Sequence, residues 1–285
     1  MNEKKLTRQV SVLCVFLASV CFATGGLFIK LIPWFALAIN GARNLIGAAV
    51  IGIYLIITRH RIVFSRQVFT GAVSLIGVTS LFTVANKLTT AANAIVLQFT
   101  APVFVIIFMA VLYGSRPKKR DLITCAVVLA GVVLFFVDGL QQGNLNGNIA
   151  AILSGICYAG VFMMNAGENA DAISSSFLGQ LAAGILFTPL CAYETDFSAP
   201  VLLAILALGV IQVGGAYILF STGIRNTPPV TASLVSGMEP VLNPLLVALF
   251  YKETVSGLAL TGAVIVVGAI LIYNLHSAGL KQSII

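Results

Sequence analysis

Long apolar runs follow one another along this chain, separated by short polar stretches. About 20 apolar residues suffice for a helix to cross the hydrocarbon core of a bilayer. Ten runs come close to that length or exceed it: 10–32, 34–58, 67–87, 91–113 and 121–138, then 146–165, 173–193, 199–220, 229–251 and 256–275. The links between them are short, and none is long enough for a soluble domain. The pattern predicts an all-α integral membrane protein with ten transmembrane helices.

Polar positions inside the runs are few and therefore informative. Only Glu239 and Arg43 are ionisable and well inside an apolar segment. A charge at mid-membrane costs roughly 2.5–3.5 kcal/mol or more, so it faces protein or water rather than lipid and marks a functional site by default. Helical spacing sets Ser236, Glu239 and Asn243 on one face of the ninth run. Pro240 and Pro244 lack N–H donors, which frees the carbonyls of Ser236 and Pro240 from helical pairing. Open carbonyls at that depth are tolerated only against protein or a wet cavity. The plainer alternative is a protonated Glu239 in a helix–helix hydrogen bond; the polar stripe and the freed carbonyls favour a cavity.

The chain also repeats itself. At an offset of 138, Lys87 lies over Arg225, Thr89 over Thr227, Ala94 over Ala232, Pro102 over Pro240 and Tyr113 over Tyr251. An offset of 136 sets Leu17, Cys21, Phe22 and Ala23 over Leu153, Cys157, Tyr158 and Ala159, and an offset of 137 sets Gly131 over Gly268. These near-constant offsets divide the chain into two five-helix units, 1–140 and 141–285. Five is odd, so the units are inverted relative to each other in the membrane, as in alternating-access transporters that bind substrate near the midplane. Glu239 matches Ala101, Asn243 matches Val105 and Ser236 matches Gln98. The first copy builds this helix without an acid, which favours function over architecture for Glu239.

Composition and charge agree with a membrane chain. Hydrophobic residues make up 59% and charged residues 9% of 285 positions, and the mean hydropathy is +1.04. The first run is too long for a signal-peptide core and is followed at once by a second, so it is expected to remain in the mature protein. The net charge of +7 is concentrated in short loops, which indicates orientation rather than nucleic-acid binding. With the N-terminus inside, twelve Lys and Arg residues fall on the cytoplasmic side and three (Lys30, Lys87 and Lys252) on the outer side. The positive-inside rule then puts both termini in the cytoplasm of a multi-pass protein of the cell membrane. The five cysteines all lie in apolar runs, so no disulfide framework is expected. The two histidines sit at span ends, which disfavours a buried metal site or a histidine-based hydrolase. No GxxxxGK[ST] sequence is present, and no cofactor is expected.

Three stretches resemble one family. The segment LTTAANAIVLQFTAPVFVIIFMAVLYG and its counterpart TASLVSGMEPVLNPLLVALFYKETVS resemble the repeat pattern of the EamA branch of the drug/metabolite transporter superfamily. In the second-copy form of that pattern an acid precedes the proline and a Glu closes the helix; these map onto Glu239 and Glu253. NGARNLIGAAV resembles the family's Arg-containing second helix and maps onto Arg43. The chain departs from the pattern in the first copy, where Ser115 replaces the closing Glu, and at Lys87, where small or apolar residues are usual. The resemblance implies a ten-helix inverted-repeat carrier, often an exporter of amino acids or other small metabolites, without naming a substrate.

The expected substrate-binding residues are Gln98, Tyr158, Gln212, Ser236, Glu239 and Asn243, all at mid-membrane near the repeat interface. Ser154, Tyr158 and Asn165 share one face of the sixth run, and Thr24 is a further, weaker candidate. For each amide or hydroxyl the competing role is an interhelical hydrogen bond, worth about 1 kcal/mol in membranes. Arg43 either binds a substrate carboxylate or supports a neighbouring helix end, the structural role being favoured; Trp34 is read as an interfacial anchor, and Glu253 as a helix-end partner of Lys252. The expected function is secondary transport of a small metabolite, such as an amino acid, amine or related organic solute, with protons as the candidate coupling ion. The partners are thus the substrate, protons and the lipid bilayer, with no nucleic acid. A channel or facilitator for a small polar solute is the alternative, but no pore-lining repeat of like polar residues is visible. An enzyme would need a convergent acid/base or metal constellation, which one intramembrane acid does not supply.

Overall fold

The computed structural model describes residues 7–29, 32–89, 91–137, 144–167, 169–242 and 256–282. Among these residues all regular structure is helical. Six helices are long and apolar enough to cross a membrane: Ala36–Thr58, Arg66–Asn86, Asn93–Tyr113, Leu145–Phe162, Ala172–Tyr193 and Ala199–Ile224. Two shorter apolar helices, Arg8–Ala23 and Gly257–Tyr273, accompany them. This is the make-up of an integral membrane protein. Large apolar side chains point outward, Ile56 and Val111 among them, each about three-quarters exposed. Such a surface suits lipid as the surrounding medium.

In chain order the helices are α1 (Arg8–Ala23), α2 (Gly25–Ile29), α3 (Ala36–Thr58), α4 (Arg66–Leu88), α5 (Ala91–Gln98), α6 (Ala101–Tyr113) and α7 (Lys119–Phe136). There follow α8 (Leu145–Phe162), α9 (Ala172–Phe187), α10 (Ala199–Ala207), α11 (Ala216–Ile224), α12 (Pro229–Val235) and α13 (Gly257–Gln282). A 3₁₀ turn extends α9 over Thr188–Tyr193, and a π-helical stretch, Leu208–Gly215, joins α10 to α11.

Three runs that read as continuous in the sequence are interrupted, each beside the protein's centre. The first breaks at Thr24, which caps α1 and bonds its hydroxyl to the Cys21 carbonyl at 2.7 Å. The fourth breaks between α5 and α6 at Phe99 and Thr100, ahead of Pro102. The ninth breaks after α12 at Ser236 and Gly237, ahead of Pro240. The last two breaks have one cause. Each proline removes an N–H, and the carbonyl four residues earlier must find another partner or a polar neighbour. The Ser236 carbonyl takes the Glu239 N–H at 2.9 Å in a tightened turn. The Gln98 carbonyl lies against Gly155, where an added Cβ would come within 2.7 Å of it.

The packing has a twofold pattern. α1 lies along α11 as α8 lies along α4, α3 crosses α9, and α7 packs on α13. The repeat offset exchanges the members of each pairing. The α3–α9 crossing is made close by small residues, the membrane counterpart of a hydrophobic seam. At Gly41 an added Cβ would lie 2.3 Å from the Thr188 nitrogen, and at Gly184 one would lie 2.9 Å from Leu45 Cα. Backbone cannot yield as a side-chain tip can, so even alanine forces these helices apart. Gly268 on α13 has open space around it. Gly41→Ala is therefore expected to lower thermal stability in detergent by about 1–3 kcal/mol, whereas Gly268→Ala leaves it unchanged. Equal melting temperatures for the two variants would refute the close α3–α9 crossing.

Candidate functional site

The interruptions deliver polar groups to one place. Beyond the break at Ser236 and Gly237 the chain turns back into helix over 238–242, which brings Glu239 and Pro240 to the wall of a central cavity of about 370 Å³. The π-helical stretch has its own effect on Gln212. Its widened turn is spelled by Gly209, Gly214 and Gly215, and Gly209 and Gly214 sit against Ile46 and Val50 of α3. Local π geometry commonly marks functional positions. Here it carries the Gln212 side chain to the cavity, over Gly25 at the α1–α2 break.

On one wall, the Tyr158 hydroxyl donates to Glu239 Oε2 at 2.9 Å. Tyr158 stacks on Phe162, ring centroids 4.6 Å apart, so α8 fixes the direction of that donor. On another wall lies Arg43 of α3, only 4% exposed. Its Nε and Nη2 donate to Asn40 Oδ1 at 3.3 and 3.0 Å, and its Nη1 donates to Gln212 Oε1 at 3.4 Å. Asn40 is held in turn by Asn44, whose Nδ2 donates to its Oδ1 at 2.9 Å. Every side-chain partner of Arg43 among the described residues is a neutral amide. Neither Arg43 nor Glu239 forms an ion pair among those residues. Tyr217 lines the same space, within electrostatic reach of both, its ring packed edge-on to Phe22 at 5.0 Å. One small cavity thus holds a carboxyl and a guanidinium that leave each other unneutralised.

The cavity has a mouth and a floor. Toward the end of α4 it is lined by Thr83 and by Asn86, which is exposed; the start of α3 contributes Trp34 and Ala36 to the same rim. Trp34 is held there by its indole N–H, which donates to the Asp196 carbonyl at 2.7 Å, and by edge contact with Phe197. At the opposite end, Phe162 and Phe220 pack edge to face at 5.6 Å and are almost fully buried. Beneath them, Ser176 and Ser221 share a hydrogen bond of 3.0 Å. Farther along, Asp171 joins three segments. It accepts from His60 Nε2 at 2.9 Å, lies 3.8 Å from Arg225 Nη2, and accepts from the Ser174 backbone N–H at 3.1 Å.

Gln98, Tyr158, Gln212 and Glu239, all expected at mid-membrane, line this one cavity. Gln98 also donates to Ser154 Oγ at 2.8 Å, so part of its capacity serves the α5–α8 contact. Ser236 is fully buried behind the wall, where its hydroxyl accepts from Ser19 Oγ at 3.4 Å. Asn243 lies outside the described residues, as do Pro244, Lys252 and Glu253. Thr24 and Asn165 do not line the cavity. Arg43, for which the sequence favours support of a helix end over substrate binding, is a wall residue bonded to its own helix and to Gln212. Trp34, read as an interfacial anchor, is 4% exposed and faces the mouth. Tyr217 and Asn86 escaped notice; their only sequence signal is a polar tip in an apolar run.

The comparisons agree with this architecture. The model of the EamA-like transporter family matches twice, over residues 9–137 and 145–275. The uncharacterized inner membrane transporter YedA of Escherichia coli (strain K12) is 26% identical over 261 residues, 85% of this chain and 82% of that protein. The threonine/homoserine exporter RhtA of Salmonella typhimurium is 28% identical over 206 residues, 69% of this chain and 66% of that protein. A solved crystal structure, 21% identical, superposes with a TM-score of 0.80 over 94% of this chain and 98% of its own, and so shares the fold. The chain belongs to the EamA-like transporter family, within the drug/metabolite transporter superfamily.

Proposed function

We propose that this transporter is a secondary carrier that moves a small zwitterionic or cationic metabolite, such as an amino acid, an amine or a related organic solute, by alternating access. The observation that carries this reading is the cavity shared by Glu239 and Arg43 with no ion pair between them among the described residues. A substrate ammonium is the natural partner for the Glu239–Tyr158 pair, and a substrate carboxylate suits the Arg43–Gln212 wall, since charge-assisted bonds are the strong ones in a dry site. The volume of about 370 Å³ suits a metabolite of that size. When no substrate is bound, a proton on Glu239 serves the same electrostatic need, which is the basis for proton coupling. The export of threonine and homoserine named for RhtA is in keeping with this class.

Ten helices in two inverted five-helix repeats, 1–140 and 141–285, are the architecture this reading requires. The double family match and the exchange of α1–α11 with α8–α4 support it. In that arrangement both termini are cytoplasmic in a cell membrane, the mouth at Asn86 and Trp34 faces outward, and the Phe162–Phe220 layer with the Asp171 cluster closes the inner side. Transport then consists of opening that inner closure while the mouth shuts.

Two measurements test the reading. In sealed vesicles, wild-type flux should saturate and show counterflow, as a carrier's does and a channel's does not. Glu239→Gln keeps volume and hydrogen-bonding capacity but cannot ionise. It should fold normally and lose transport by about 10- to 100-fold, the value of a charge-assisted bond of about 1.5–3 kcal/mol. Wild-type flux in Glu239→Gln would remove the acid from the mechanism. The second measurement uses single cysteines in a background lacking the native five. Positions 98, 158 and 212 should react with a small polar thiol reagent and be protected by substrate, while position 236, behind the wall, should stay inert. Inertness at all four positions in folded protein would mean that the cavity is closed to water.

A further inference from the structure

A second cavity, of about 450 Å³, opens at the end of the bundle where α6 stops and α7 begins, between those helices and the start of α12 and the far part of α13. Its lining is basic: Arg8, Arg116, Lys118 and Arg120 against one acid, Asp121. The acid is already engaged. Asp121 Oδ1 accepts from the Tyr273 hydroxyl at 2.9 Å, and its Oδ2 caps α7 by accepting from the Lys118 N–H at 3.4 Å. Arg120 lies 4.8 Å from the centroid of the Tyr273 ring, and its buried Nε has no hydrogen-bond partner. A cation–π contact holds a guanidinium in place without spending its N–H donors.

The repeat supplies a control on whether the helix hairpin needs these charges. At the offset of 138, Ser115 corresponds to Glu253, Arg116 to Thr254, Lys118 to Ser256 and Arg120 to Leu258. None of the last three positions carries a base in the second half, whose nearby stretch has Lys252 beside Glu253, so the basic cluster at 116, 118 and 120 is particular to the first half. Outside the cavity, Val111, Leu112 and Ile123 present exposed apolar side chains. A molecule with an anionic head and an apolar tail meets both surfaces at once.

We propose that this cavity binds a phosphate-type anion, supplied by the headgroup of an anionic lipid or by soluble phosphate. Basic pockets between transmembrane helices at a membrane face hold such headgroups. Arg116 and Lys118 give flexible charge at the rim, and Arg120 gives fixed donors inside.

The test uses thermal shift of the purified full chain in detergent with three probes: dioctanoyl phosphatidylglycerol, dioctanoyl phosphatidylcholine and inorganic phosphate. The wild type should be stabilised by phosphatidylglycerol and not by phosphatidylcholine. A shift with phosphatidylglycerol alone assigns a lipid source; a shift with inorganic phosphate as well assigns the site to the phosphate group itself. Each basic group near an anionic surface is worth about fivefold in affinity. The Arg116→Gln/Lys118→Gln variant, altered only at exposed positions, should bind about 25-fold more weakly. Adding Arg120→Gln should weaken binding on the order of 100-fold. A control with Arg59→Gln and Arg61→Gln, exposed at another loop, should keep the wild-type response. The proposal is overturned if no anionic probe shifts the wild type, if the double variant responds like the wild type, or if the Arg59/Arg61 control loses the response equally.

Discussion

A carboxyl group in the membrane must be given protein and water to face, because hydrocarbon offers it neither hydrogen bonds nor dielectric screening. Much of this structure can be traced to meeting that demand at Glu239. The helix that carries it breaks three residues earlier, at Ser236 and Gly237, and Pro240 follows at once. The tightened turn takes up the Ser236 carbonyl, and the Tyr158 hydroxyl from α8 points at the carboxyl. Ser19 from α1 braces the back of the turn through Ser236. Three helices from both halves of the chain are thereby committed to one side chain.

The first half makes the same break without the same chemistry. Phe99 and Thr100 interrupt α5 and α6 ahead of Pro102, but Ala101 stands where the second half has Glu239. There the polar group is Gln98, whose amide bonds across to Ser154. The proline-induced break is thus a shared feature of the two copies, and the acid is specific to one. This asymmetry gives the cavity a carboxyl on the α12 side and leaves Arg43, on α3, to supply the opposite charge.

The all-helical membrane class was legible in the sequence because it rests on a long-range average, the length and spacing of the apolar runs. Four of the expected cavity residues were also legible, since Gln98, Tyr158, Gln212 and Glu239 are polar groups placed where only polar surroundings can hold them. What escaped was local geometry. The stretch from Leu208 to Gly215 has an ordinary helical pattern in sequence, and only its glycines hint at a π turn that depends on the close approach of α3. Ser236 shares a helical face with Glu239 in an ideal helix, but the break turns it away from the cavity. The partners of Arg43 were only half legible: Asn40 is three residues away, but Gln212 is 169 residues away, and only folding identifies it. Trp34 begins a span, as interfacial tryptophans do, yet its N–H finds the Asp196 carbonyl and it turns inward.

The two ends of the cavity differ in how they are closed. The mouth is rimmed by separate polar and aromatic side chains, whereas the opposite end is shut by an aromatic pair, a serine pair and the Asp171 cluster in succession. Under the alternating access proposed above, that closure opens in every cycle, and His60 and Asp171 join segments that would then separate. The most direct measurement is flux through a protein bearing cysteines at positions 60 and 171, in a background lacking the native five, joined by a short cleavable thiol crosslinker. Transport should stop on crosslinking and return on cleavage, with each single-cysteine protein unaffected by the reagent. Undiminished transport through the crosslinked protein would contradict alternating access by opening at this end.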